Sequence, residues 1–141
     1  MCAVVAREHL SIRVDAETKR GLEREARRRG TPKTTVAESF LREGIRAAAH
    51  PGITFRDGPA GRRAALVGGP DVWEVITVWQ DEAKNAEATA KTLGIPVGVV
   101  DGALGYYSEF REEINEWIDH NRADAEEAEA AWRRRQALAS G

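Results

Sequence analysis

The chain has 141 residues, rich in Ala, Arg and Glu and modest in aromatics, which suits a mainly helical protein of one ordinary or two small domains. Its formal net charge of −2 gives no bulk attraction to nucleic acid, and its single cysteine, Cys2, excludes an internal disulfide, so a reducing cytoplasm is the expected setting. Three scattered histidines (His9, His50, His120) and one cysteine offer no metal-ligand spacing, and no cofactor motif or membrane-length segment is present; the apolar run Cys2–Ala6 is too short for either a signal core or a span.

Charge is unevenly distributed. Residues 1–50 carry eleven Lys/Arg against seven Asp/Glu, residues 51–118 six against eleven, and residues 119–141 four against five. In the last segment the acids dominate up to Glu129, and Arg133, Arg134 and Arg135 follow in a row. Three charge regimes predict three functional segments: 1–49, 50–118 and 119–141.

The first element is REHLSIRVD, residues 7–15. Leu10, Ile12 and Val14 alternate with His9, Ser11 and Arg13, the period-two pattern of a strand with one buried face. No second strand is near enough in sequence to pair with it, and a lone strand leaves its backbone groups unpaired. Asp15 is a natural N-cap for the helix that follows, in which Leu22 and Ala26 share a face. Gly21 costs that helix about 1 kcal/mol relative to Ala, so it needs tertiary support. Gly30 is a C-terminal stop, and Arg27–Arg29 before it read as a solvated, dipole-favoured terminus. A second helix follows in TPKTTVAESFLREGIRAA. It starts either with Thr31 as N-cap and Pro32 in the first turn or, one turn later, with a Thr35–Glu38 capping box. Ala37, Phe40, Leu41, Gly44, Ile45 and Ala48 form its apolar face.

LSIRVD, the spacing to Gly30, and GTPKTT before an apolar helix together resemble the ribbon-helix-helix family, the Arc/MetJ/CopG type of repressor. The resemblance covers residues 7–48. It implies an intertwined homodimer in which the missing strand partner comes from a second copy, and it leaves higher-order assembly open. It also implies that the two-stranded ribbon enters the major groove of double-stranded operator DNA. The apolar residues Leu10, Ile12 and Val14 would then face the dimer core, and His9, Ser11 and Arg13 the base edges. Arg13 is the best base reader, because a guanidinium can bond both acceptors of guanine. Lys33, Thr34 and Thr35 offer a cation, hydroxyls and free N–H groups for a phosphate. The alternative is a small dimerisation module with an ordinary solvated strand face.

In the second segment, Ile53–Arg56 and Arg62–Val67 read as two short strands joined by the turn-forming DGPAG. GGP then breaks the chain, and Gly69 or Asp71 opens a helix whose Val72, Trp73, Ile76 and Trp79 recur at core spacing. Ala90, Gly94 and Val100 stand at helix-turn-helix spacing, with Val97, Val100, Leu104 and Tyr107 as the second helix's buried stripe. A hairpin before a helix-turn-helix predicts a small winged-helix-like α+β domain. With HPGI, GRRAALVGG, DVWEV and ALGYY, the segment resembles a small domain found in antitoxins of VapB type. Its would-be recognition helix carries no Lys or Arg and exposes Asp101, so packing or partner contact suits it better than base readout. Arg62 and Arg63 are the exception: they either meet a phosphate or are plain exposed strand charges.

Residues 110–138 contain no Gly or Pro and predict a long C-terminal helix. Phe110, Ile114, Trp117 and Ile118 supply a packing stripe, which fades to alanines after Asp119 with Trp132 alone. Residues 119–141 are therefore expected to be a helical or disordered tail that folds on a partner. Resemblance to VapB-type antitoxins implies that the partner is a PIN-domain ribonuclease toxin. It also implies that Trp132 anchors the tail while Arg133, Arg134 and Arg135 enter the toxin's acidic metal site. The alternative for the tail is a solvated, frayed helix. No buried acid–base pair, phosphate loop or nucleophile motif appears, so an enzyme is not expected. The function expected is a repressor that neutralises a toxin and autoregulates its operon. The alternative is a stand-alone regulator whose second domain mediates oligomerisation or other protein contacts.

Overall fold

The computed structural model describes residues 6–141. They form six helices and one two-stranded sheet, in the order α1 (Ala16–Arg29), α2 (Lys33–Ala49), β1 (Ile53–Arg56), β2 (Arg63–Leu66), α3 (Val72–Asp81), α4 (Ala86–Leu93), α5 (Val97–Glu109) and α6 (Arg111–Ala139). The chain divides into two compact units, the first ending at Arg42 and the second spanning Glu43–Gly141. The division falls within α2, seven residues before the end of the expected 1–49 segment, because Glu43, Arg46 and His50 all bond to partners further along the second unit.

In the first unit, Asp15 caps α1 as expected: its carboxylate accepts from the Thr18 N–H at 2.7 Å. That bond holds the Asp15 pKa below the usual carboxylate value. Gly30 ends the helix in the left-handed region at φ 65°, where a side chain would be strained. The Thr31 N–H reaches back to the Ala26 carbonyl at 3.1 Å, which completes a Schellman ending. α2 begins at Lys33, between the two expected starts, with the Pro32 carbonyl accepting from Val36 at 3.2 Å. The Thr35–Glu38 capping box does not account for that start: the Glu38 carboxylate pairs with Arg7 and Arg42. Among the described residues of this unit, only Ala26 and Val36 are buried. The strand expected over residues 7–15 is not formed: among the described residues no segment pairs with it.

The second unit has the real core. β1 and β2 pair antiparallel with Ile53 opposite Leu66, Thr54 opposite Ala65, Phe55 opposite Ala64 and Arg56 opposite Arg63. Ile53, Leu66, Val72, Val75, Ile76, Val100, Ala103, Tyr106, Ile114 and Ile118 pack into one apolar cluster. Arg56 and Arg63 are like charges directly across a strand pair, which is unfavourable alone. The buried Asp71 lies between them and offsets the repulsion: it pairs with Arg63 and lies 3.6 Å from Arg56, while Arg56 also donates to the Leu66 and Gly69 carbonyls. Asp71 rather than Gly69 opens α3, and Glu74 accepts from its backbone N–H. α4 and α5 form the helix-turn-helix pair: Gly94 ends α4 at φ 67°, Ile95 reaches back to the Ala90 carbonyl, and Ala90 and Val100 are buried. Of the expected α5 stripe, Val100 and Tyr107 are buried, Leu104 is half-buried, and Val97, in the first turn, is 44 % exposed; Ala103 and Tyr106 are fully buried as well. Trp73 and Trp79 on α3 are half-buried around the cluster.

α6 is one continuous helix. Ile114 and Ile118 anchor its first turns in the core, and almost all of residues 119–141 are exposed.

Candidate nucleic-acid interface

The polar residues assigned to the DNA face lie on the surface of the first unit. His9, Ser11 and Arg13 are all exposed, as are Lys33, Thr34 and Thr35 in the first turn of α2. Asp and Glu are absent from that turn, so its free N–H groups face no competing acid of their own. Among the described residues, neither Arg13 nor Lys33 makes an ion pair.

The alternating apolar side chains are just as exposed: Leu10 at 69 %, Ile12 at 59 % and Val14 at 49 %. Three apolar groups in register on a nine-residue stretch are not what a solvated loop shows. They border two open grooves. One, of about 710 Å³, has Leu10 and Ile12 on one side and Thr34, Ala37 and Leu41 of α2 on the other. The second, of about 450 Å³, is lined by Ile12 and Val14, by Leu22 of α1 and by Lys33 and Ala37 of α2. Leu41 is itself 43 % exposed. Phe40 is covered on one face by the Arg29 guanidinium, 4.7 Å from the ring centre.

Arg29 and Arg28 both bind Glu25, and this holds the Glu25 carboxyl well below its ordinary range, at a pKa of about 2. The basic run at the end of α1 is thus internally neutralised in part, as suits a solvated helix terminus.

Arg62 and Arg63 stand differently from the exposed cations proposed for phosphate. Arg62 donates to both Glu43 carboxylate oxygens, at 2.6 and 2.7 Å, and lies 3.2 Å from Asp57. Glu43 is the chief cause of its raised pKa. Arg63 is bound to Asp71. Each would have to leave a carboxylate to reach a phosphate. Sequence spacing gave no sign of this, since Glu43 lies 19 residues away.

A second polar cluster was not visible in the sequence. Arg46 donates to Glu113 at 2.7 Å and to the Tyr106 hydroxyl at 3.0 Å, and its guanidinium lies 3.9 Å from the Phe110 ring centre. Tyr106 in turn donates to Glu113 at 2.7 Å. Burial and the Glu113 charge raise the Tyr106 pKa, so the phenol stays a neutral donor. His50 packs edge-on against Tyr106 and Phe110 and bonds Glu109 at 2.7 Å. Among the described residues no buried side-chain N or O atom lacks a hydrogen-bond partner, and the cluster works as a clamp between the end of α2 and the α5–α6 junction.

On α6, Trp132 is 54 % exposed. Arg133 pairs with Glu129 one turn back, whereas Arg134 and Arg135 have Ala130 and Ala131 at that spacing. The described residues contain no group of His, Cys, Asp and Glu that could hold a metal ion, and no helix among them is long and apolar enough to cross a membrane.

Compared with family models, with curated proteins and with solved structures, the chain matches none.

Proposed function

We propose that this chain is a ribbon-helix-helix repressor: two copies pair residues 7–14 into an antiparallel ribbon that reads operator DNA in the major groove. The observation that carries this reading is the alternation of exposed apolar side chains at Leu10, Ile12 and Val14 beside open apolar grooves of the same unit. A second strand would fill those grooves and pair the backbone at one stroke. It would also turn His9, Ser11 and Arg13 outward together. Lys33, Thr34 and Thr35 would bind a flanking phosphate. Arg62 and Arg63 have no part in this proposal, because both are bound to carboxylates. Arg13→Ala should weaken specific binding by about 1–3 kcal/mol and relax base preference. Unchanged operator affinity in a folded dimer would refute it.

The same reading makes the chain an antitoxin. The exposed WRRRQ stretch of α6 would dock on an acidic partner, a PIN-type ribonuclease, with the winged-helix-like second unit as its scaffold. Co-expression with the product of the neighbouring gene tests this. Growth arrest relieved by the full chain, but not by one lacking residues 119–141, is the expected result. No arrest would leave a stand-alone regulator.

A further inference from the structure

We infer that Lys19 is a further contact to the DNA backbone, holding a phosphate together with Lys33 beside one groove of the first unit. The inference deepens the repressor reading and rests on it. The groove of about 450 Å³ has Arg13, Lys19, Lys33 and Thr34 as its polar lining and no Asp or Glu. Its three cations come from three separate segments: Arg13 from the stretch before α1, Lys19 from the first turn of α1, and Lys33 from the start of α2. Among the described residues none of the three makes an ion pair.

Charge separates this groove from its neighbour. The groove of about 710 Å³ also has cations, Arg7 and Arg42, but Glu38 in the same lining binds both. Arg28 and Arg29 are likewise held by Glu25. Lys19 has a carboxylate one turn away on either side, Asp15 and Glu23, and pairs with neither. Asp15 is occupied with the N–H and hydroxyl of Thr18. Nor does Lys19 serve its own helix: it and Lys33 both stand in a first turn, where the helix dipole disfavours a cation. Three like charges around one opening, unmatched by any acid of the lining, suit a polyanion. Continuity with Arg13 makes that polyanion the DNA of the ribbon itself. Arg13 meets a base edge, and Lys19 and Lys33 take the phosphate beside it. The apolar part of the lining goes to the second copy's strand.

Salt dependence of binding tests it. The probe is a labelled duplex of the sequence that the full chain enriches from a random pool, followed by fluorescence anisotropy as KCl rises. Each neutralised phosphate contributes about 0.9 to the slope of log K against log salt. A two-fold dimer carries Lys19 twice, so Lys19→Gln should lower the slope by about 1.8. Lys19→Arg should keep the wild-type slope, and the enriched sequence should be the same in both. Arg20→Gln is the control: Arg20 is exposed on the same helix and lines neither groove, so the same loss of charge there should leave the slope unchanged. Far-ultraviolet circular dichroism of each variant separates loss of fold from loss of a contact. A slope unmoved by Lys19→Gln, or moved equally by Arg20→Gln, would overturn the inference. So would a Lys19→Gln chain that selects a different sequence. A wild-type chain that enriches no duplex overturns the repressor reading and this inference with it, whereas wild-type binding with an unmoved slope overturns the inference alone.

Discussion

Ile12→Ser removes the central apolar group of the exposed stretch, and its effect can be sized from the structure. Ile12 is 59 % exposed in the single chain, so up to that share of its surface is still available for burial by a partner. Full burial of an isoleucine contributes about 1.5–3 kcal/mol, so the part left for association is about 1–2 kcal/mol per copy. A two-fold dimer buries it twice, which makes the loss about 2–4 kcal/mol, or roughly 30- to 1,000-fold in the dissociation constant. Little of the change should fall on the single unit, because Ile12 is not part of its buried interior. The assay is sedimentation equilibrium of the full chain over a wide concentration range, alongside far-ultraviolet circular dichroism. A dimer constant unchanged by Ile12→Ser, with helix content intact, would refute the claim that this face meets a second copy.

Other outcomes follow from the packing. Leu66→Ala should destabilise the second unit by about 2–5 kcal/mol in urea unfolding, because Leu66 is 2 % exposed at the centre of the cluster. Glu113→Ala removes the shared acceptor of Arg46 and Tyr106; with Glu113 itself 38 % exposed, the cost should be about 1–2 kcal/mol, and Tyr106→Phe should lose part of the same energy in a double-mutant cycle. Ala83 and Lys84 both sit in the left-handed region, at φ 54° and 62°, so Ala83→Gly or Lys84→Gly should raise the melting temperature, at about 0.5–1 kcal/mol each. The Glu25 carboxyl is held down to about 2, so what it adds to the first unit is fully present above about pH 4.5 and fades as pH falls toward about 2; Asp15, also lowered, acts in the same direction. Acid titration by circular dichroism should show α1 losing helicity in that window in wild type and less change in Glu25→Gln.

Local signals in the sequence carried far. Asp15, Gly30 and Gly94 marked helix ends that the structure places as expected, since caps depend on neighbours within four residues. The hairpin at Ile53–Arg56 and Arg63–Leu66 was legible from its turn and strand composition. Long-range pairing was not legible. Arg62 and Arg63 looked like free cations because Glu43 and Asp71 come to them only through the fold. Arg46, Tyr106 and Glu113 lie 60 and 67 residues apart and form no motif. Val97 fitted the apolar period of α5, but it falls in the first turn, before the helix reaches the core. The start of α2 falls between the two that the Thr31–Pro32 and Thr35–Glu38 signals offered, with the Pro32 carbonyl as the first acceptor. Of the residues expected to meet DNA, the exposure of the polar set is plain; their joint orientation belongs to the proposal of a second copy.

Selection of bound duplexes from a random pool by the full chain addresses the central claim most directly. A two-fold ribbon reading the major groove predicts an enriched site of two inverted half-sites, with a guanine preference that disappears in Arg13→Ala. No enriched sequence, or one lacking two-fold symmetry and insensitive to Arg13, would contradict it.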